Sequence, residues 1–249
     1  MPTRLHPEVL APIELDRQGD SFRPAYDTPV RAVVLDEAGR PELAEVPKPE
    51  PGRGDALVQM EMALTNGEAL RGAFCGVDVA TGRRVVAAGL VWPYAEYLLV
   101  PEADLLLAPP NLTADVVALA VPLAACLETI ELGELEPGQT LAVKRTGTFE
   151  LLLSAAARDA GAAIALGGDP ELGAAFGAVP GQSEGTDIVL REPDAGPPPT
   201  TKTVRAALAF LASGAHPWGR LITHRVGLDE LPELLADPPN DLLTAAVFP

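Results

Sequence analysis

At 249 residues, 47% hydrophobic and 21% charged, the chain is long enough to bury one large core or two modest ones. Its net charge of −17 comes from scattered acidic residues; such a surface repels phosphate backbones and offers no basic patch to anionic lipid, which excludes nucleic acid and membranes as partners. No apolar run reaches the ~20 residues of a membrane span, and two cysteines in so long a chain argue against a disulfide framework and fit a reducing cytoplasm.

Residues 1–29 read as an extension, broken by proline and without a signal-peptide core. From Val30 the pattern is β-rich. "RAVVLDE", "ALVQMEM", "RRVVAAG" and "AEYLLVP" predict short strands of an irregular antiparallel barrel, separated by glycine and proline. In the second of these, Val58, Met60 and Met62 alternate with Gln59 and Glu61, the period of a half-buried strand. At Thr113 the period changes to helical. "TADVVALAVPLAACLETIELG" carries Thr113 as N-cap and Gly133 near its end, and Pro122 predicts a break or kink within it.

"LAVKRTGTFELLLSAAARDAGA" then predicts strand, tight turn, helix and a glycine stop at Gly161. Phe149, Leu152, Leu153 and Ala156 set the apolar face of that helix. "AIALGG" and "DIVLR" (Asp187–Arg191) predict second and third strands, and Asp169 a cap for a helix opening at Pro170. After a stiff linker, "EPDAGPPPTT", a helix is predicted from Thr201 to Ser213, with Val204, Leu208 and Leu211 on one face. Strand "LITHRV", a short helix opened by Asp229 and strand "LLTAAVF" complete the chain. Richness in Ala, Pro and Gly points to a GC-rich bacterial source.

This order, together with "RAVVLDEAGRPELAEVPKPEPGRGDALVQMEMALTNGEALRG", "YAEYLLVPEADLLLAPPNLTADVVALAVPLAACLETIELGELEPGQTLAV", "AIALGGDPELGAAF" and "LITHRVGLDELPELL", resembles the medium-chain dehydrogenase/reductase superfamily, the zinc-type alcohol, sorbitol and threonine dehydrogenases. The resemblance runs from about Val30 to Pro249. It implies an α/β protein: a GroES-like β-barrel domain (30–125 with 220–249) and an inserted, truncated Rossmann-like parallel-sheet domain (126–219). Between them it implies a cleft for a small molecule. It further implies NAD(P), cytoplasmic location and a homodimer. The chain is shorter than is usual for that superfamily, and the stretches between Gly72 and Gly82 and between Gly173 and Pro199 read as deleted.

Residue by residue, the superfamily's chemistry is poorly provided for. The two cysteines of its zinc motif fall on Ala63 and Asn66, its histidine–glutamate segment has no counterpart, and a further ligand position falls on Val121; an amide and two apolar side chains are no ligand set for zinc. Cys75 reads as core filler. In the nucleotide-binding turn, the three glycine places hold Arg145, Gly147 and Glu150. Arg145, Thr146, Gly147 and Thr148 are therefore the candidate cofactor-binding residues, while Glu150 sets a carboxylate in the first helical turn, where it competes with phosphate. Gly167 and Gly168 stand where an acidic residue grips ribose.

Glu68, beside Arg71, and Tyr94, which alternates with Glu96, are the candidate catalytic residues. His216 reads as a surface turn residue, and His224 as a packing residue. Three functions stay open: a zinc-free NAD(P)-linked oxidoreductase, a pseudoenzyme or binding module with residues 1–29 as a plug, and a lyase or isomerase.

Overall fold

The computed structural model describes residues 29–65, 73–89, 92–143, 147–166, 169–180, 198–237 and 243–248. The expectations for residues 1–28, Asn66, Glu68, Arg71, Arg145, Thr146, Gly167, Gly168 and the strand at Asp187–Arg191 concern residues outside that set.

The chain opens with a hairpin. Strand β1 (Val30–Leu35) pairs antiparallel with β2 (Pro41–Val46), closed by a turn in which the Asp36 carboxylate accepts from the backbone N–H of Ala38 and Arg40, each at 2.8 Å. Next come β3 (Asp55–Thr65), β4 (Phe74–Asp78), β5 (Arg84–Ala87), β6 (Tyr97–Pro101) and β7 (Leu105–Leu107). The last two strands of the chain, β11 (Ile222–Gly227) and β12 (Leu243–Val247), return to this sheet, giving the order β11-β12-β3-β4-β5-β7 with β6 also paired to β3. The expected closure of the β-rich part by the C-terminal segment is thus present as main-chain pairing of β12 with β3.

Strand β3 departs from simple alternation. Val58 and Met60 enter one apolar core, with Phe74, Val85, Tyr94 and Val100; Met62 and Leu64 enter the other, with Cys75, Val86 and Leu106. The switch is a β-bulge between Met60 and Met62, which adds one residue and reverses the phase of the strand. Opposite it, Gly76 on β4 leaves no room for a side chain: a Cβ there would stand 2.5 Å from both the Gln59 carbonyl oxygen and Val58 Cγ1. β4 itself occupies the stretch that reads as deleted, and forms a central rung of the sheet.

The predicted helical stretch from Thr113 divides into α1 (Ala114–Ala118) and α2 (Ala120–Leu132), with the break at Leu119. Pro122 explains it: its ring excludes the carbonyl of Ala118 and it has no N–H for an i−4 bond. Thr113 stands at the N-cap, but its hydroxyl donates to the Asp115 carboxylate and accepts from no helix N–H. The proposed domain boundary at residue 126 falls inside α2.

Then follow β8 (Thr140–Val143), α3 (Thr148–Asp159), β9 (Ala163–Leu166), α4 (Pro170–Ala175) and β10 (Val179–Pro180). These three strands pair in parallel in the order β10-β9-β8. α3 is buried more widely than a single apolar face: Leu151 to Ala157 are all buried, because α2 packs on one side and β9 on the other. Helix α5 (Thr201–Ala212) buries Val204, Leu208 and Leu211 as predicted, and is capped by Thr200 Oγ1, which accepts from Thr203 N–H at 3.2 Å. The last helix, α6 (Leu231–Ala236), opens at Glu230 and not at Asp229; Glu230 accepts from the Gly227 N–H, whereas Asp229 faces Arg31.

Candidate functional site

The C-terminal end of β3 and the N-terminus of α3 are where the sequence places its two chemical elements. At α3, Gly147 is the N-cap in an extended conformation, Thr148 is the first helical residue and Glu150 the third. The Glu150 carboxylate folds back across the helix start. A Cβ at Gly147 would lie 2.5 Å from Glu150 Oε2, so the face left open by the absent glycine side chain is filled by this carboxylate. A glutamate three residues after the N-cap holds the sequence position of one arm of a capping box, and its charge lies at the positive end of the helix. The carboxylate therefore lies at the helix end to which an anion would be drawn.

Thr148 is buried, and its Oγ1 has no hydrogen-bond partner among the described residues. Below it, Cys126 is fully buried with Sγ 3.6 Å from the Phe149 carbonyl oxygen; burial first, then the Glu150 charge, pushes its thiol well up. At the start of α4, Asp169 Oδ1 accepts from the N–H of Glu171 at 2.9 Å and of Leu172 at 3.1 Å. It serves as the cap of α4, as expected.

The residues at the zinc-ligand places do not fit a metal. Ala63 is fully buried in the barrel core, and Val121 is buried in the helical core. Among the described residues no group of three His, Cys, Asp or Glu side chains is arranged to hold a metal ion. Cys75 is fully buried, and its Sγ lies 3.6 Å from Glu61 Oε2. Burial, reinforced by the Glu61 carboxylate, drives that thiol far above its ordinary range.

Glu61 is a residue whose partners sequence reasoning missed. The bulge turns it toward Arg84, which donates from Nε at 2.6 Å and Nη2 at 3.0 Å, while Nη1 donates to the Leu112 carbonyl at 3.1 Å. Hydrogen bonding to Arg84 holds the Glu61 carboxyl below its ordinary value of 4.5. A carboxylate with a depressed folded pKa contributes stability that is present above its unfolded pKa and is lost as pH falls through the folded value. Acidification from about pH 6 to about pH 3 should therefore lower the urea midpoint of the wild type more than that of Arg84→Gln. Equal slopes for the two proteins would remove this pair as a source of acid sensitivity.

Tyr94 belongs to the barrel core. Its ring meets Trp92 edge to face at 4.9 Å, and its hydroxyl donates to the Leu64 carbonyl at 3.3 Å. Burial pushes its pKa up to about 12. The phenol thus braces the end of β3, next to the segment that carries Glu68. Glu96, expected on the same strand face, precedes β6 and accepts from Arg31 Nε at 2.9 Å. His216 is not a free turn residue: half-buried, it stacks on Phe176 at 6.0 Å, contacts Phe210 and Trp218, and its Nδ1 lies 3.2 Å from the Ala175 carbonyl oxygen. His224 is exposed on β11, with Nδ1 3.2 Å from Thr223 Oγ1.

No protein-family model and no curated protein sequence matches the chain. Solved structures do. The alcohol dehydrogenase TADH from Thermus sp. ATN1 aligns with a TM-score of 0.72 at 21% identity, covering 88% of this chain and 100% of that one. A zinc-binding dehydrogenase from Sinorhizobium meliloti 1021, solved bound to NADP, aligns with a TM-score of 0.69 at 20% identity over 89% of this chain and 100% of that one. The fold is that of the medium-chain dehydrogenase/reductases. A third example of it, 2R,3R-butanediol dehydrogenase from Bacillus subtilis, aligns with a TM-score of 0.68 at 16% identity, over 89% of this chain and 100% of that one. Among the described residues no helix is long and apolar enough to cross a membrane.

Proposed function

We propose that the chain is a medium-chain dehydrogenase/reductase fold that has lost both catalytic elements and serves as a cytoplasmic binding module, not as a zinc dehydrogenase. In this reading β1–β7 with β11 and β12 form the GroES-like barrel, and β8–β10 with α3 and α4 the inserted, truncated Rossmann-like part. The observation that carries it is the Glu150 carboxylate lying against Gly147 at the start of α3. A phosphate there would meet a like charge at the one helix end that should attract it. The apolar side chains of Ala63 and Val121, without donor atoms, support the same reading for zinc.

A second reading, a zinc-independent NAD(P)-linked reductase, draws on Gly147 and on the buried, unpartnered Thr148 hydroxyl, which would accept a polar group of a ligand. Titrating the full chain with NADH and NADPH by calorimetry separates the two. No saturable heat at millimolar cofactor is expected; saturable binding of either cofactor would establish the second reading instead. The binding-module reading also carries residues 1–29 as a candidate plug of the cleft, and a homodimer as its assembly.

A further inference from the structure

The helix α5 and the terminal strand β7 enclose an open groove of about 430 Å³, within the size range of small-molecule sites. It is lined by Leu105, Leu107 and Pro109 from β7 and the turn after it, and by Arg205, Leu208 and Ala209 from α5. Leu107 is 48% exposed, a large apolar side chain left open to solvent on the groove wall.

Arg205 is the guanidinium that lines this groove, and, like Arg53, Arg83, Arg158 and Arg220, it holds no carboxylate among the described residues. The chain carries 35 acidic residues against 18 basic ones, and Arg31, Arg40, Arg84 and Arg225 each hold a carboxylate. Arg205, exposed on α5, has no ion-pair partner among the described residues and borders apolar groups instead. Lys202, one turn earlier, adds a second positive charge, and the first turn of α5 carries no acidic side chain. Across Leu105 the sign reverses: a neighbouring hollow of about 390 Å³ is bordered by Asp55, Asp78 and Glu102. A ligand with one anionic head and an apolar body is thereby oriented, its head drawn to Arg205 and repelled from the acidic hollow.

We propose that this groove binds an amphipathic carboxylate, with Arg205 holding the carboxylate and Leu105, Leu107 and Leu208 covering an aliphatic tail. A guanidinium suits this task, because its planar fork matches a carboxylate and it is less strongly hydrated than an ammonium. Among the described residues the groove shares no lining residue with the α3 turn.

Calorimetric titration of the full chain with octanoate, octan-1-ol and acetate tests the assignment. Octanoate is expected to bind at least tenfold more tightly than octan-1-ol, and acetate not to bind. Arg205→Gln should weaken octanoate at least tenfold and leave octan-1-ol unchanged; Arg205→Lys, which keeps the charge without the planar fork, should fall between the wild type and Arg205→Gln. Ala209→Trp, which fills the groove from an exposed helix position, should abolish binding of both long ligands. The proposal fails if octanoate gives no saturable heat at millimolar concentration, if octan-1-ol binds as tightly, or if Arg205→Gln leaves octanoate binding intact. Binding that appears after deletion of residues 1–28, and not before, would identify that segment as the occupant and overturn it equally.

Discussion

Replacing Glu150 by glycine is expected to raise the affinity of the chain for inorganic pyrophosphate at least tenfold over the wild type. The reason is a charge at a fixed place. Glu150 Oε2 occupies the side of Gly147 that has no Cβ, at the start of α3. A phosphate entering there would stand within a few ångströms of a carboxylate, where two like charges at an effective dielectric near 20 repel by about 4 kcal/mol. Removing the carboxylate also returns the uncompensated helix end to the ligand. Calorimetry with pyrophosphate reads the effect directly, and Glu150→Gln separates charge from bulk. If the glutamine variant gains as much as the glycine variant, charge is the barrier; if the glycine variant alone gains, bulk is. No gain in either would show that Glu150 is not what keeps phosphate from this helix.

How much of this was legible beforehand depends on the range of each interaction. The strands at Val30, Asp55, Arg84 and Tyr97, the helices at Thr148 and Thr201, and the Asp169 cap follow from patterns a few residues long, and each stands where its pattern puts it. The break between α1 and α2 follows as directly from Pro122. β4 escaped because "FCGVD" is short and includes a glycine, and because it lies where the resemblance suggests a deletion.

The bulge in β3 escaped for a different reason. Alternation through Met62 is unbroken in the sequence, and the extra residue shows itself only when β4 is laid alongside. With it escaped the Glu61–Arg84 pair, whose members are 23 residues apart. His216 shows the same limit: its aromatic neighbour Phe176 comes from the end of α4, beyond any local pattern. At the site, Gly147 and Glu150 were identified by position, but only their three-dimensional contact shows that the carboxylate lies on the glycine and does not point into solvent.

The helix that carries Glu150 in its first turn also holds the fold together, and this gives the largest expected loss of stability. Leu152 is fully buried in the core that joins the large sheet to the helices. Truncating a fully buried leucine removes its transfer free energy and leaves a cavity, together about 2–5 kcal/mol. A domain stability of about 5–15 kcal/mol makes this a large fraction of the total. Leu152→Ala should therefore lower the urea midpoint sharply while leaving the slope unchanged, since the surface exposed on unfolding is nearly the same. Leu132, 85% exposed at the end of α2, is the control: Leu132→Ala should shift stability by no more than about 0.5 kcal/mol. A Leu152→Ala loss as small as that of Leu132→Ala would mean that α3 is not part of the cooperative core. The βαβ scaffold would then lack the packing reason given for it, since burial of Leu151 to Ala157 between α2 and β9 is what holds α3 in place.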